Sequence, residues 1–171
     1  MSIKLLLLQT RVADDPMRDH ERECFVRATG RPRENVVPFD LCDRAPTISE
    51  TRRFDALTIW GSGNYYVTLG NLTDFTTLLE TLREVVGIGH PTFVSCFGYQ
   101  LPVHALGGEI LHDPPRTEVG SYEIALTTEG RGDELFPFLP DQYWAQPGHK
   151  ERASRYPDDI TNLASGELSP F

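Results

Sequence analysis

Short apolar runs alternate with amphipathic stretches along the first two thirds of the chain. Apolar runs at residues 3–8, 35–39, 56–60 and 92–95 predict four strands. The first run is apolar apart from Lys4, which is typical of a strand buried on both faces of a sheet. These strands are therefore expected in the interior of the protein.

The stretches between the runs predict helices. The clearest has apolar residues at i, i+3, i+4 and i+7 spacing: Phe75, Leu78, Leu79, Leu82, Val85 and Val86. Thr73 and Asp74 are predicted to cap its start, and Gly87, Gly89 and Pro91 to end it. Weaker helical patterns cover residues 14–28, 46–53 and 99–106.

Alternation of strand and helix predicts right-handed βαβ units, and hence a parallel sheet with helices on both faces. After Gly108 the pattern changes to short strand candidates at residues 109–111, 118–126, 142–146 and 161–164, separated by Pro, Gly and Asp. We interpret these as antiparallel additions to the parallel sheet of an α/β fold. No repeat or long linker interrupts the chain, so residues 1–171 are expected to form one domain.

Composition and charge narrow the class of protein. Hydrophobic residues make up 39% and charged residues 24% of the chain, and the net charge of −9 disfavours binding to nucleic acid or to an anionic membrane. The three cysteines show no CxxC spacing, so we predict no metal, no cofactor and a reducing compartment. The apolar run at residues 3–8 is too short for a signal peptide or a membrane span, which favours a cytoplasmic protein.

Two glycine-bearing corners follow neighbouring strands of the predicted sheet. Residues 61–63 read Gly-Ser-Gly, and Cys96 is followed by Phe97 and Gly98. In parallel α/β sheets the carboxyl ends of the strands form binding sites, and a nucleophile on a tight strand-to-helix turn projects outwards. A helix N-terminus favours the thiolate, and its free N–H groups can bind an oxyanion.

A structural interpretation of Cys96 stays open at this point. Free cysteine is often a small core residue, and Gly98 would then relieve crowding beside it. Cys24 lies within a helical pattern and Cys42 in a loop after a strand, without a glycine corner at either. We interpret these two as structural.

Longer motifs carry a family resemblance. Residues 96–101 (CFGYQL) with residues 105–109 (ALGGE) resemble the nucleophile motif of class I glutamine amidotransferases. Residues 55–63 (DALTIWGSG) resemble the oxyanion strand of that family. Residues 149–151 (HKE) and 163–170 (LASGELSP) resemble the C-terminal part of its GMP-synthase-like branch. The similarity runs from residue 3 to the end, and the cysteine motif is its most specific part.

This resemblance implies a flavodoxin-like, three-layer α/β sandwich that hydrolyses the side-chain amide of L-glutamine through a cysteine thioester. A synthetase domain or subunit would accept the ammonia, and no cofactor is involved. The implied roles are nucleophile for Cys96, oxyanion hole for Gly61, Ser62 and the N–H of Phe97, and substrate binding for Gly98, Gln100 and Tyr122.

The chain departs from the family pattern at two places. Val94 stands where the family has a glycine two residues before the cysteine. The catalytic His-Pro-Glu motif is not found in the chain, although a cysteine amidase needs a histidine oriented by a carboxylate. His149, in the spelling His-x-Glu, is the first candidate for a substitute base. We therefore expect weak or no glutaminase activity, and either self-association through an open sheet edge or lowered stability.

Two further functions fit the residues. A non-catalytic module would keep the amidotransferase fold as a binding or interaction surface. A different cysteine hydrolase, of the intracellular-protease-like kind, would use a similar elbow. The second is disfavoured because no glutamate stands where that family pairs its thiol, and because Gln100 and the ALGGE stretch match amidotransferases.

Overall fold

Four of the predicted strands form one parallel sheet. A computed structural model describes residues 3–169 and divides the chain into two compact units, Met1–Ala105 and Leu106–Phe171. The sheet belongs to the first unit, and its strands follow the spatial order β2-β1-β3-β4. Their bounds are Leu5–Thr10 for β1, Val36–Asp40 for β2, Ala56–Ser62 for β3 and Thr92–Val94 for β4.

Helices cover both faces of this sheet. On one face Phe25 packs into a buried cluster with Leu5, Leu7 and Val36, and on the other face Gly98 lies directly against Ile59. With the order 2-1-3-4, this is the flavodoxin-like arrangement, as predicted. The helices are α1 (Met17–Thr29), α2 (Ile48–Thr51), α3 (Phe75–Gly87) and α4 (Phe97–Ala105).

The second unit is built from short antiparallel strands, as the change in pattern after Gly108 predicts. Within the described residues these strands pair with one another in separate sheets, so their predicted addition to the parallel sheet is wrong. The pairs are β5 with β10 and β6 with β9, and a three-stranded sheet has the order β11-β7-β8. The bounds are β5 Glu109–His112, β6 Glu118–Val119, β7 Tyr122–Leu126, α5 Thr128–Arg131, β8 Gln142–Ala145, β9 Gly148–His149, β10 Glu151–Arg155 and β11 Ala164–Gly166. That residues 1–171 form one domain stays a prediction.

Some local predictions are wrong. The single strand expected over residues 118–126 is divided at Gly120, whose φ of +130° is a conformation that few residues other than glycine adopt. Asp74 precedes α3 as predicted, but it has a left-handed φ of +51° and makes no capping hydrogen bond. Thr73 donates instead to the carbonyl of Cys42 at 2.8 Å. Val86, the last residue of the apolar stripe, is exposed.

No helix within residues 3–169 combines the length and the apolar character that crossing a membrane requires.

A buried carboxylate lies between α1 and the end of β1. Glu21 is only 5% exposed, and its Oε2 accepts a hydrogen bond of 2.6 Å from the Gln9 amide. Burial raises the pKa of the Glu21 carboxyl above its usual 4.5, while the bond from Gln9 and the charge of Arg11 offset part of this effect and Asp15 adds to it. The ionised side chain is therefore a source of instability at neutral pH.

Glu21→Gln is expected to stabilise the chain at pH 8 and to have little effect at pH 4. A raised native pKa means that stability is greatest below the unfolded pKa and falls as the pH rises through the native pKa. The glutamine side chain can still accept the hydrogen bond from Gln9. Because it does not ionise, it removes the loss of folding stability at high pH. Thermal melts of the original chain and of Glu21→Gln at pH 4, 6 and 8 test this prediction, with Glu34→Gln at an exposed position as control. Equal shifts in melting temperature at pH 4 and pH 8 would refute a raised pKa of Glu21.

Candidate active site

Cys96 occupies the corner between β4 and α4. The strand ends at Val94, the Ser95 N–H donates to the Ile59 carbonyl at 3.0 Å, and the helix begins at Phe97. Cys96 has a φ of +53°, in a left-handed region that is uncommon for a residue other than glycine. Such local strain is typical of a nucleophile held on a sharp turn. The predicted position of Cys96 is confirmed.

The start of α4 is fixed by close packing of Gly98. A Cβ placed on Gly98 would lie 2.3 Å from the carbonyl oxygen of Ile59, so only glycine lets the helix approach β3 this closely. The Gly98 N–H donates to the Ser95 carbonyl at 2.9 Å, and the Cys96 carbonyl accepts from the N–H groups of Tyr99 and Gln100. The first helical turn thus begins directly after the cysteine.

Gly61 lies beside the thiol. A Cβ placed on Gly61 would lie 3.7 Å from the Cβ and 3.9 Å from the Sγ of Cys96. This neighbourhood follows from the parallel pairing of β3 with β4, in which Ile59 is opposite Val94. Phe97 is the first residue of α4, and the first N–H groups of a helix have no acceptor within that helix. The backbone around the thiol is therefore suited to hold an anionic oxygen.

Thr10 supports this corner and was not predicted from the sequence. Thr10 is the last residue of β1, and its hydroxyl donates to the Gly61 carbonyl at a distance of 3.2 Å. The residue is only 3% exposed. Buried threonine is common in strands, so the sequence offered no signal for this role. The bond ties the Gly61 peptide to the neighbouring strand.

Ser62 and Gln100 differ in how they are placed. The Ser62 hydroxyl donates to the Tyr65 carbonyl at 2.6 Å and so stabilises the loop after β3. Because the hydroxyl is engaged there, the backbone of Ser62 is the part of this residue that can contact an oxyanion. Gln100, in the first turns of α4, is only 5% exposed. The residues predicted for the nucleophile and the oxyanion hole thus meet in the first unit, whereas substrate contact by Gln100 stays a prediction.

Tyr122 belongs to the second unit. It is the first residue of β7 and is half-buried. It lines a cavity of about 570 Å³ whose other lining residues include Glu123 and Trp144. Its role towards glutamine stays a prediction.

His149 has a carboxylate partner that the spelling of the sequence does not indicate. Its Nε2 lies 3.0 Å from the Oε2 of Glu118, directly opposite on β6, and Glu118 is 2% exposed. Glu151, the partner suggested by the spelling His-x-Glu, begins β10. His149 is therefore held by Glu118, a residue more than thirty positions earlier in the sequence, which the pairing of β6 with β9 brings opposite it.

Similar proteins share this fold. No family model matches the chain. The glutamine-hydrolysing GMP synthase of Staphylococcus carnosus is 25% identical over 145 residues, which are 84% of this chain and 26% of that protein. The chain spans 16–26% of the length of the curated GMP synthases that it matches.

Solved structures agree with the sequence comparison. A glutamine amidotransferase from Methylobacillus flagellatus superposes with a TM-score of 0.74 at 20% identity, covering 99% of this chain and 64% of that one. A glutamine amidotransferase from Thermotoga maritima gives 0.70 at 16% identity, covering 99% and 70%. The sequence matches and the shared fold both agree with the predicted resemblance to class I glutamine amidotransferases.

Proposed function

We propose that Cys96 attacks the side-chain amide of L-glutamine. The observation that carries the proposal is the strained Cys96 at the head of α4, with Gly61 beside its sulfur. Such a corner presents a thiol and backbone N–H groups to one small substrate. The similarity to glutamine-hydrolysing GMP synthases supports glutamine as that substrate.

The reaction proceeds in two steps. The Cys96 sulfur loses its proton and adds to the amide carbon, the carbon–nitrogen bond breaks, and the amide nitrogen takes up one proton and leaves as ammonia. Water then adds to the γ-glutamyl thioester, which releases glutamate and regenerates the thiol. The N–H of Phe97 and the backbone at Gly61 and Ser62 stabilise the negative oxygen that forms in each step.

Turnover of this chain alone is slow. The thiol must lose a proton and the leaving amine must gain one, and a positioned histidine contributes about 10²–10⁴-fold to such steps. His149 has a buried carboxylate partner in Glu118, so it is the first candidate for the base. The sequence lacks the family's His-Pro-Glu motif, which is why the expected rate is low.

Ammonia from this reaction is passed to an acceptor held by a synthetase domain or subunit. This assignment comes from the GMP synthases that the chain resembles.

Glutamate release by the purified chain tests the proposal. We expect a low rate that falls to background in Cys96→Ala, because no other described thiol lies at a helix head. In a chain that keeps Cys96, His149→Gln should lower the rate of glutamate release, because this residue is the candidate base. Cys24→Ala should leave the rate unchanged. A rate that is unchanged in Cys96→Ala would exclude the proposed chemistry. Robust, Cys96-dependent turnover that His149→Gln leaves unchanged would exclude both slow turnover and the role of His149.

A further inference from the structure

The loop that follows β3 is held by hydrogen bonds to three different side chains. Gly61 and Ser62 are the last residues of the strand, and residues 63–66 form the loop. The Ser62 hydroxyl donates to the Tyr65 carbonyl at 2.6 Å, which closes the loop onto the end of the strand. The orientation of the Ser62 peptide therefore depends on where Tyr65 is held.

Asn71 bridges the backbone on either side of Tyr65. Its Nδ2 donates to the Asn64 carbonyl at 3.1 Å, and its Oδ1 accepts from the Tyr66 N–H at 3.0 Å. Asn71 is exposed, so water competes for both of these bonds and they stabilise the loop only modestly. A firmer attachment of the loop has to come from another side chain.

The side chain of Tyr65 supplies this attachment. Its hydroxyl and the Cys42 thiol form a hydrogen bond, and both residues are half-buried. This bond raises the pKa of the Tyr65 hydroxyl above its usual 10, and burial adds to the effect. Burial also raises the pKa of the Cys42 thiol, despite the hydrogen bond from Tyr65. Both groups therefore keep their protons at neutral pH.

Cys42 is itself held on both sides. Its N–H donates to the Asp40 carboxylate at 2.8 Å, and its carbonyl accepts from the Thr73 hydroxyl at 2.8 Å. The preceding residue, Leu41, is buried, and its N–H donates to the Gln9 carbonyl at 2.9 Å. The contact of Cys42 with Tyr65 therefore joins the loop after β3 to the segment after β2, across the intervening strand β1.

We propose that Tyr65 is a positioning residue for the oxyanion backbone, anchored by Cys42 and acting through the Ser62 hydroxyl. This role rests on the proposed hydrolysis of glutamine at Cys96. While the Tyr65 side chain is anchored, its carbonyl keeps the Ser62 hydroxyl, and hence the Ser62 peptide, in one orientation. Without the anchor the loop samples other orientations, and its backbone donors are less often aligned with the oxygen as it becomes negative.

Tyr65→Phe removes the hydroxyl and keeps the ring. We would follow labelling of Cys96 by the chloromethyl ketone analogue of L-glutamine, and separate the maximal rate from the half-saturating concentration. Loss of an oxyanion donor lowers rates by about 10²–10³-fold, so displacement of one is expected to lower the maximal rate about tenfold. The half-saturating concentration should change by less than about twofold, because the oxyanion forms only after binding. Tyr143→Phe, the same change in the second unit, is the control.

A double variant identifies the anchor. Cys42→Ala is expected to slow labelling of Cys96 as much as Tyr65→Phe does, and the double variant should be no slower than either single variant, because both changes break one contact. Additive losses in the double variant, or an unchanged maximal rate in Tyr65→Phe, would overturn the proposal.

Hydrogen exchange tests the positioning without any chemistry at Cys96. We expect the amides of residues 62–66 to exchange about tenfold faster in Tyr65→Phe and in Cys42→Ala, and those of β1 to be unchanged. Unchanged exchange in the loop, or equal acceleration in β1, would overturn the proposal, the latter because it shows a general loss of stability. Labelling of the original chain that L-glutamine does not reduce would instead exclude the proposed function, and with it this role of Tyr65, even where the loop responds as expected.

Discussion

Gly98→Ala is expected to destabilise the first unit by about 3 kcal/mol or more, the upper part of the range for overpacking. The added methyl carbon would lie 2.3 Å from the oxygen, 2.6 Å from the carbonyl carbon and 2.8 Å from the Cβ of Ile59. Ile59 is fully buried in β3, which is paired on both sides, so its backbone cannot move away without disturbing the sheet. Urea denaturation followed by circular dichroism measures the loss.

Gly87→Ala is the matched control for this variant. Gly87 is the last residue of α3, and a Cβ there would meet nothing within 4 Å. Alanine in a helix is favoured over glycine by about 0.5–1 kcal/mol, so a neutral or stabilising effect is expected. If the two variants were equally stable, the close contact of α4 with β3 would be wrong.

Gly130→Ala is expected to disrupt the second unit to a similar extent. A Cβ on Gly130 would lie 1.9 Å from the Leu163 carbonyl oxygen, which also accepts the Thr127 N–H at 3.0 Å. The Thr127 hydroxyl donates to the Asn162 carbonyl at 2.8 Å, so α5 and residues 162–163 are joined at several points. An alanine side chain at position 130 would push α5 away from residues 162–163. This displacement would weaken the packing that holds β11, and with it the pairing of β11 with β7.

Hydrogen exchange of the β7 amides measures this effect. We expect protection of residues 122–126 to fall in Gly130→Ala and to persist in Gly132→Ala, where the nearest atom to the new Cβ is at an ordinary 3.7 Å. Unchanged protection in Gly130→Ala would show that α5 does not support this sheet.

The sequence predicted those features that depend on local chemistry. The apolar run of β1 determined a strand buried on both faces, and the spacing of Leu78, Leu79, Leu82 and Val85 determined the buried side of α3. Cys96 followed by Gly98 predicted the corner because a sharp turn and a close helix approach each restrict the residue type. In these elements the side chains alone limit the possible structures.

Features that depend on long-range pairing were not predicted. β10 is mostly polar and is a strand because it pairs with β5, so residues 151–155 gave no local signal. The contact of His149 with Glu118 requires the register of β6 with β9, which the spelling His-x-Glu does not contain. The contact of Tyr65 with Cys42 depends likewise on the order of the strands in the sheet.

Covalent labelling by a glutamine-shaped electrophile tests the role of Cys96 most directly. The chloromethyl ketone analogue of L-glutamine needs a bound side chain and a nearby thiol, and it does not need the proton transfers that limit turnover. Mass spectrometry should find the adduct on Cys96, little on Cys24 or Cys42, protection by excess L-glutamine, and much slower labelling by the D-isomer. Equal labelling of all three cysteines, or labelling of Cys96 that L-glutamine does not reduce, would contradict a glutamine site at this corner.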